Sequence, residues 1–175
     1  ILCHVAGILR DRMVFNMNEE EWDAVLQVHL YGAFNMVRNV VPHMIKQRYG
    51  RIVIFSSVSG LGNSGQANYA SAKEGQVGFV RVLARELAPY NITVNAVYPG
   101  GETRMTQAVP DTARQIRAER GIETRQAETI REVENPRDPE KNAPKVVYLC
   151  TEAAGNITGQ VIGTTGLPMN LYPAR

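Results

Sequence analysis

The sequence is poor in the features that mark several large protein classes. It has only two cysteines in 175 residues, Cys3 and Cys150, far apart in the chain and matching no metal-ligand spacing. They read as buried thiols in a reducing compartment. No apolar run approaches the ~20 residues of a membrane span, and no signal peptide is visible, so a cytoplasmic protein without a membrane partner is expected. Neither charge sign dominates: 19 basic residues face 17 acidic ones, for a net charge of +2. The basic residues are scattered rather than striped, which argues against nucleic acid as a partner. Apolar residues make up 44% of the chain, enough for one domain with a real core.

What is present alternates. Ile1-Leu2-Cys3-His4-Val5 reads as a short apolar strand ending at Gly7. A long helix follows, capped by Asn18, with Glu19, Glu20 and Glu21 at its positive dipole end. Trp22, Val25, Leu26, Ala33, Phe34, Val37, Val40, Val41, Met44 and Ile45 recur along it at helical spacing. Pro42 is expected to kink or break it. Arg51–Phe55 is a second buried strand, Asn68–Leu87 a second amphipathic helix, and Ile92–Val97 a third strand stopped by Pro99-Gly100-Gly101. Asp138–Ala153 predicts a further helix and Gln160–Gly163 a final strand. Continuous apolar strands alternating with helices predict an α/β fold, a parallel sheet covered on both faces. Between Asp111 and Lys145 stand eight basic and eight acidic residues and few large apolar ones. That stretch is either a solvated, salt-bridge-laced helical excursion or a lid over a pocket, since it follows a strand's carboxyl end.

The chemistry concentrates at Ser56-Ser57-Val58-Ser59-Gly60 and Tyr69-Ala70-Ser71-Ala72-Lys73. Tyr69 and Lys73 are four apart and share a helix face. An ammonium there favours the phenolate and is expected to pull the phenol towards neutrality, as a general acid requires. A serine at the end of the preceding strand can hold a substrate oxygen against the phenol.

These residues, in this order, resemble the short-chain dehydrogenase/reductase family. The similarity also rests on Ala6-Gly7 with Ile8-Leu9-Arg10-Asp11, on Val28-His29-Leu30-Tyr31-Gly32-Ala33-Phe34, and on Gly50-Arg51-Ile52-Val53. Gly65-Gln66-Ala67-Asn68 and Asn95-Ala96-Val97-Tyr98-Pro99-Gly100 complete it. The resemblance implies a Rossmann-like doubly wound parallel sheet, here only from about the fourth strand onward. Residues 1–175 would be the C-terminal part of one dinucleotide-binding oxidoreductase domain, with a lid at 103–137. It implies NAD or NADP as cofactor, the choice between them resting on a residue that precedes Ile1 in the family. The implied reaction interconverts a secondary alcohol and a ketone. Arg104-Met105-Thr106-Gln107 and Val28-His29-Leu30 are similar to hydroxyacyl-thioester dehydrogenases, which points to a 3-hydroxyacyl or 3-oxoacyl thioester. Carried over, Tyr69 is the acid/base, and Lys73 binds the nicotinamide ribose and lowers the phenol. Ser57 orients the carbonyl, with Ser56 as its rival by spacing. Ala6, Gly7, Pro99 and Gly100 line the cofactor, and Thr103 meets its carboxamide. The long helices would pair in a homodimer or homotetramer.

The chain also departs from the family pattern. The phosphate-binding turn and first three strands of the family have no counterpart here. Gly60-Leu61-Gly62-Asn63-Ser64-Gly65 matches G-x-G-x-x-G, but the strand after the next helix ends at Tyr98-Pro99 rather than at an acidic residue, so it reads as a substrate-side loop. His4 and Val5 stand where asparagines are usual; His4 reads as structural or, with no partner at ligand spacing, less readily as a metal ligand. His29 replaces an asparagine that holds a relay water, and is either a relay group with a pKa near ~6.5 or a satisfied buried histidine. His43 is expected at the surface. A strand beginning at Ile1 would leave a bare apolar edge, which favours the rival reading: a non-catalytic remnant acting only in oligomer assembly. An epimerase or dehydratase on the same scaffold is a further alternative.

Overall fold

A computed structural model describes residues 1–101, 138–166 and 168–173. The expected lid at 103–137, Thr103 and the Arg104–Gln107 motif therefore lie outside the described residues.

Within them the apolar runs become a sheet. β1 (Leu2–His4), β2 (Gly50–Phe55), β3 (Ile92–Tyr98), β4 (Val161–Gly163) and β5 (Asn170–Tyr172) lie side by side in that order. The first four are parallel and β5 runs antiparallel to β4. β5 was not expected. Asn170-Leu171-Tyr172 is three residues long, with its first two side chains exposed, and carries no periodic signal. β2 and β3 are buried along nearly their whole length, as strands covered on both faces are.

The connection from β1 to β2 is one continuous helical rod. It starts at Asn18, whose side chain accepts from the Glu21 amide while the Glu21 carboxylate accepts from the Asn18 amide, a capping box. α1 (Glu19–Leu26) passes through a single π-turn, Gln27–Tyr31, into α2 (Gly32–Gln47). Pro42 does not break the rod, which runs on for five residues beyond it to Gln47. The missing proline amide is tolerated near this solvent-facing end, where His43 is exposed as expected. α3 (Ala67–Leu87) joins β2 to β3. The expected helix at 138–153 is shorter and broken: a 3-10 turn at Pro139–Asn142 leads into α4 (Ala143–Leu149), and a second 3-10 turn follows at Glu152–Ala154.

Two cores result, one on each sheet face. Ile52, Ile54, Ile92, Val94 and Ala96 pack against Val37 and Met44 of α2 and Val77, Val80 and Leu87 of α3. Val53, Val97 and Ile162 pack against Val146 and Leu149 of α4. The chain is thus an α/β, Rossmann-like unit with a mostly parallel sheet. On the second face the two cysteines are neighbours rather than separate buried thiols. Cys3 is exposed, Cys150 half-buried, and their Sγ atoms lie 3.8 Å apart.

The carboxyl end of β3 is tied to the C-terminal segment by Asn142. Its side-chain amide donates to the Gly100 carbonyl (2.6 Å) and its oxygen accepts from the Gly100 amide (3.2 Å) and the Thr164 hydroxyl (2.6 Å). The fit is close: a Cβ on Gly100 would lie 1.9 Å from Thr165 Oγ1. Gly100→Ala should therefore cost about 1–3 kcal/mol in urea unfolding. The double variant Gly100→Ala/Thr165→Gly should recover most of it, and a silent single variant would contradict this packing.

Candidate active site

Three parallel strands end on the same side of the sheet, and their carboxyl ends bring the candidate residues together. β1 is followed by Ala6 and Gly7, β2 by Ser56 and Ser57, and β3 by Pro99 and Gly100. Ligands in open α/β sheets bind at this edge. α3 begins close by and presents Tyr69 and Lys73 one turn apart.

The two serines divide the work. Ser56 is buried and its hydroxyl donates to the Lys73 carbonyl at 2.7 Å, so it fastens β2 to α3. Ser57 is half-buried, caps the turn Val58–Leu61 by accepting from the Ser59 amide (3.1 Å), and stands close enough to the Tyr69 phenol to favour its ionised form. The geometry thus brings Ser57, and not its rival, to the phenol.

Lys73 is only 4% exposed, and its Nζ donates to the Phe55 carbonyl and sits 5.5 Å from the Tyr69 ring centroid. Burial pulls its pKa down to about 8. The Tyr69 phenol is not drawn towards neutrality. Burial raises it, the nearby Ser57 opposes the rise, and the Asp11 carboxylate adds to it. The expected lowering by Lys73 fails because the ammonium is itself desolvated and directed at a backbone oxygen.

His29 sits in the π-turn, buried, with its ring edge-on to Tyr69 at 5.0 Å. Nε2 lies 2.8 Å from the Ile8 carbonyl and 3.1 Å from the Ile8 amide, whereas Nδ1 has no hydrogen-bond partner among the described residues. Burial first, and then the Lys73 charge, lower its pKa to about 4, so it is neutral at physiological pH rather than poised near 6.5. A Cβ on Gly7 would meet its ring at 2.5 Å, so the turn after β1 needs glycine to pass over the imidazole. His4 is also buried, with Nε2 unpartnered and a pKa lowered by burial and by Lys73. No group of three potential metal ligands exists among the described residues. Val5 is 58% exposed and Ala6 exposed.

Several residues that position this site were not singled out from the sequence. Asn68 is fully buried: its amide donates to the carbonyls of Arg10 (3.0 Å) and Glu21 (2.9 Å), and its oxygen accepts from the Tyr69 amide (2.7 Å). Gln76 is equally buried and donates to the His29 carbonyl at 2.8 Å. Gln66 donates to Asp11 at 2.7 Å, beside the Arg12–Glu21 ion pair (2.7 Å). Their only sequence signal is a run of amide side chains around the start of α3. The glycine-rich loop between β2 and α3 bends through Gly62 (φ 121°) and Gly65 (φ 82°), and the Gly65 carbonyl accepts from the Arg12 amide at 2.8 Å. It borders the segment after β1.

The depressed His29 pKa makes stability pH-dependent. Between about pH 6.5 and 4 the unfolded chain takes up a proton that the folded chain refuses, so stability falls as pH falls through that window. The loss attributable to His29 should approach about 3 kcal/mol. Urea unfolding at pH 7 and pH 4.5 should show a flatter dependence in His29→Asn than in the parent. Parallel curves would exclude His29 as the source.

Comparison with known proteins gives the chain a family. A family model described as short chain dehydrogenase matches residues 1–114. Among curated proteins, the 3-oxoacyl-(acyl-carrier-protein) reductase of Thermotoga maritima is 45% identical over 168 residues, covering 95% of this chain and 64% of the relative. A putative short-chain type dehydrogenase/reductase of Mycobacterium tuberculosis is also 45% identical, over 90% of this chain and 49% of the relative. The chain thus spans less than two thirds of the length of these relatives. Among solved structures, a short chain dehydrogenase from Mycobacterium avium superposes with a TM-score of 0.79 at 33% identity, covering 99% of this chain and 55% of that one. The full-length peroxisomal multifunctional enzyme type 2 of Drosophila melanogaster gives 0.76 at 32% identity, covering 98% of this chain and 28% of that one. With the family model matched over well more than half its length, this chain belongs to the short-chain dehydrogenase family.

Proposed function

We propose that the chain carries the substrate-orienting and proton-transferring groups of an NAD(P)-dependent oxidoreductase that interconverts a secondary alcohol and a ketone. The observation that carries the reading is the convergence of Ser57, at the carboxyl end of β2, with the Tyr69 phenol and the Lys73 ammonium 5.5 Å from its ring centroid. The substrate we favour is a 3-hydroxyacyl or 3-oxoacyl thioester. Its support is the 45% identity to a 3-oxoacyl-(acyl-carrier-protein) reductase and the fold shared with a peroxisomal multifunctional enzyme. In this reading residues 1–175 correspond to the C-terminal part of a dinucleotide-binding oxidoreductase domain.

The residues present fit a nicotinamide cofactor. Ala6, Gly7 and Pro99 carry no long side chains and stand at the carboxyl edge with Ser57; Gly7 is backed by the His29 ring, and Gly100, backed by Thr165, continues the same edge. Tyr69 and Lys73 would hold the ribose, and Thr103 would meet the carboxamide. When bound, the nicotinamide supplies or accepts the hydride.

The chain's own residues handle the oxygen. Ser57 and Tyr69 together hold the ketone oxygen between two hydroxyls. Tyr69 releases its phenolic proton to that oxygen as the carbon is reduced, and recovers it in the reverse direction. The phenolate left behind is stabilised by Ser57, and the Lys73 ammonium, which keeps its charge below about pH 8, holds the ribose in place beside it. His29 holds a relay water at its unpartnered Nδ1, and does so as a neutral imidazole.

The reading includes a homodimer or homotetramer. Tyr31, Phe34 and Met36 are exposed on the rod and Val82 on α3, and Leu30, Tyr31, Phe34 and Phe79 line an apolar cleft of about 300 Å³. A second copy of the chain would cover this face.

Three measurements test these points. Tyr69→Phe should lower kcat for ketone reduction about a hundredfold or more while leaving NADH or NADPH binding within a fewfold of the parent. Reduction by the parent should fall as pH rises through about 8, where Lys73 loses its charge, and Lys73→Met should lack that limb. A Tyr69→Phe protein of parental activity would refute the mechanism. For assembly, Phe34→Glu should shift sedimentation to the monomer; an unchanged sedimentation coefficient would place the interface elsewhere.

A further inference from the structure

Among the described residues, His4 is a buried titratable side chain that the proposed chemistry does not use. It ends β1 and is 5% exposed. Its side chain lies with Leu2 on the sheet face that α2 and α3 cover, so the neighbours of the ring do not depend on which strands flank β1. Nε2 is enclosed there and has no hydrogen-bond partner among the described residues. The end of the π-turn passes over the ring: a Cβ built on Gly32 would stand 3.4 Å from His4 Cε1 and 3.8 Å from Nε2. The imidazole also comes close enough to the His29 carbonyl for that oxygen to favour its protonated form.

The same carbonyl is where the turn is held. A π-turn departs from the α-helical ladder, so each of its carbonyls has to find a partner. The His29 carbonyl accepts from the Gly32 amide within the turn and from the buried Gln76 side chain at 2.8 Å. Gln76 reaches it from α3, and His4 approaches it from β1. The ring carried by that residue stands edge-on to Tyr69 at 5.0 Å.

We propose that His4 is a positioning residue: with Gln76 it clamps the backbone of the π-turn at His29 and so fixes the His29 ring against the Tyr69 phenol. The role rests on the proton transfer proposed at Tyr69. His29 pivots on its own backbone, so a shift of that carbonyl moves Nδ1 relative to the phenol oxygen. An aliphatic side chain at position 4 would fill the space but offer the carbonyl nothing; an asparagine would offer it an amide. The imidazole does both as a neutral group, since burial and the Lys73 charge disfavour its protonation. His29 is thus faced by His4 from β1 and by Tyr69 and Lys73 from α3.

The test combines nuclear magnetic resonance of isotope-labelled histidine at pH 7 with the kinetics of ketone reduction, both in the full-length protein. In the parent, the His4 Cε1 proton should show a nuclear Overhauser effect to the Gly32 α-protons, and the His29 ring should show one to the Tyr69 ring. His4→Leu should lose the His29–Tyr69 effect and lower kcat about tenfold, with KM and NADH or NADPH affinity within about twofold of the parent. His4→Asn should keep the effect and at least about half of kcat. His4→Leu/His29→Ala should be no slower than His29→Ala alone, because both changes act through one ring. A merely structural His4 would instead give additive losses and a raised KM. Additive losses, or a His4→Leu protein that keeps the His29–Tyr69 effect, would overturn the proposal. So would parental kcat in His4→Leu where Tyr69→Phe is inactive. A parent without the His4–Gly32 effect overturns it whether or not any variant folds. An active Tyr69→Phe protein would sink the proton-transfer mechanism instead, while the two Overhauser effects still decide whether His4 fixes His29.

Discussion

The arrangement at the strand ends depends on one costly placement, the burial of Lys73. An ammonium withdrawn from water needs oxygen atoms around it, and here the Phe55 carbonyl at the end of β2 supplies one. Because β2 must deliver that carbonyl, its carboxyl end is fixed relative to α3, and the Ser56 hydroxyl closes the same junction from the other direction. The positive charge then conditions its neighbours. It helps to hold both His4 and His29 neutral, so that Lys73 is the one charged member of these three neighbours. Tyr69 and Ser57 lie at the rim of this buried charge, where burial holds the phenol above its usual range.

Around that charge the chain spends buried amides. Asn68 ties the loop after β1, the start of α1 and the backbone of Tyr69 together, and Gln76 reaches from α3 to the carbonyl of His29. Asn142 does the same at the other end of the site for Gly100 and Thr164. Each bridges elements distant in sequence, so the site is over-determined by contacts that carry no net charge.

How much of this could be read from the sequence follows from the range of the interactions. Local signals were legible: the Asn18 cap with its acidic first turn, the apolar strands at Arg51–Phe55 and Ile92–Val97, and the four-residue spacing of Tyr69 and Lys73. So was the family, because its motifs are contiguous. What depended on tertiary distance was not. Cys3 and Cys150 looked isolated because nothing local shows that β1 and the end of α4 share a sheet face. The direction of the Tyr69 shift was missed because spacing gives the proximity of an ammonium but not its desolvation. β5 escaped because three residues with mixed exposure have no period to detect.

The π-turn at Gln27–Tyr31 has a further consequence. A π-turn holds one residue more than the α-helical turn it replaces, so α1 and α2 form one rod whose two halves are out of phase. α1 lies along α3 near Tyr69, while α2 lies along β1 and β2. A single straight helix would present the same stripe to both neighbours. The extra residue lets one element serve two surfaces, and it sets His29 at the point of phase change, facing the phenol. Deleting one residue there would turn all of α2 by about 100° relative to α1, and would carry the buried Val37 away from the sheet it now packs against.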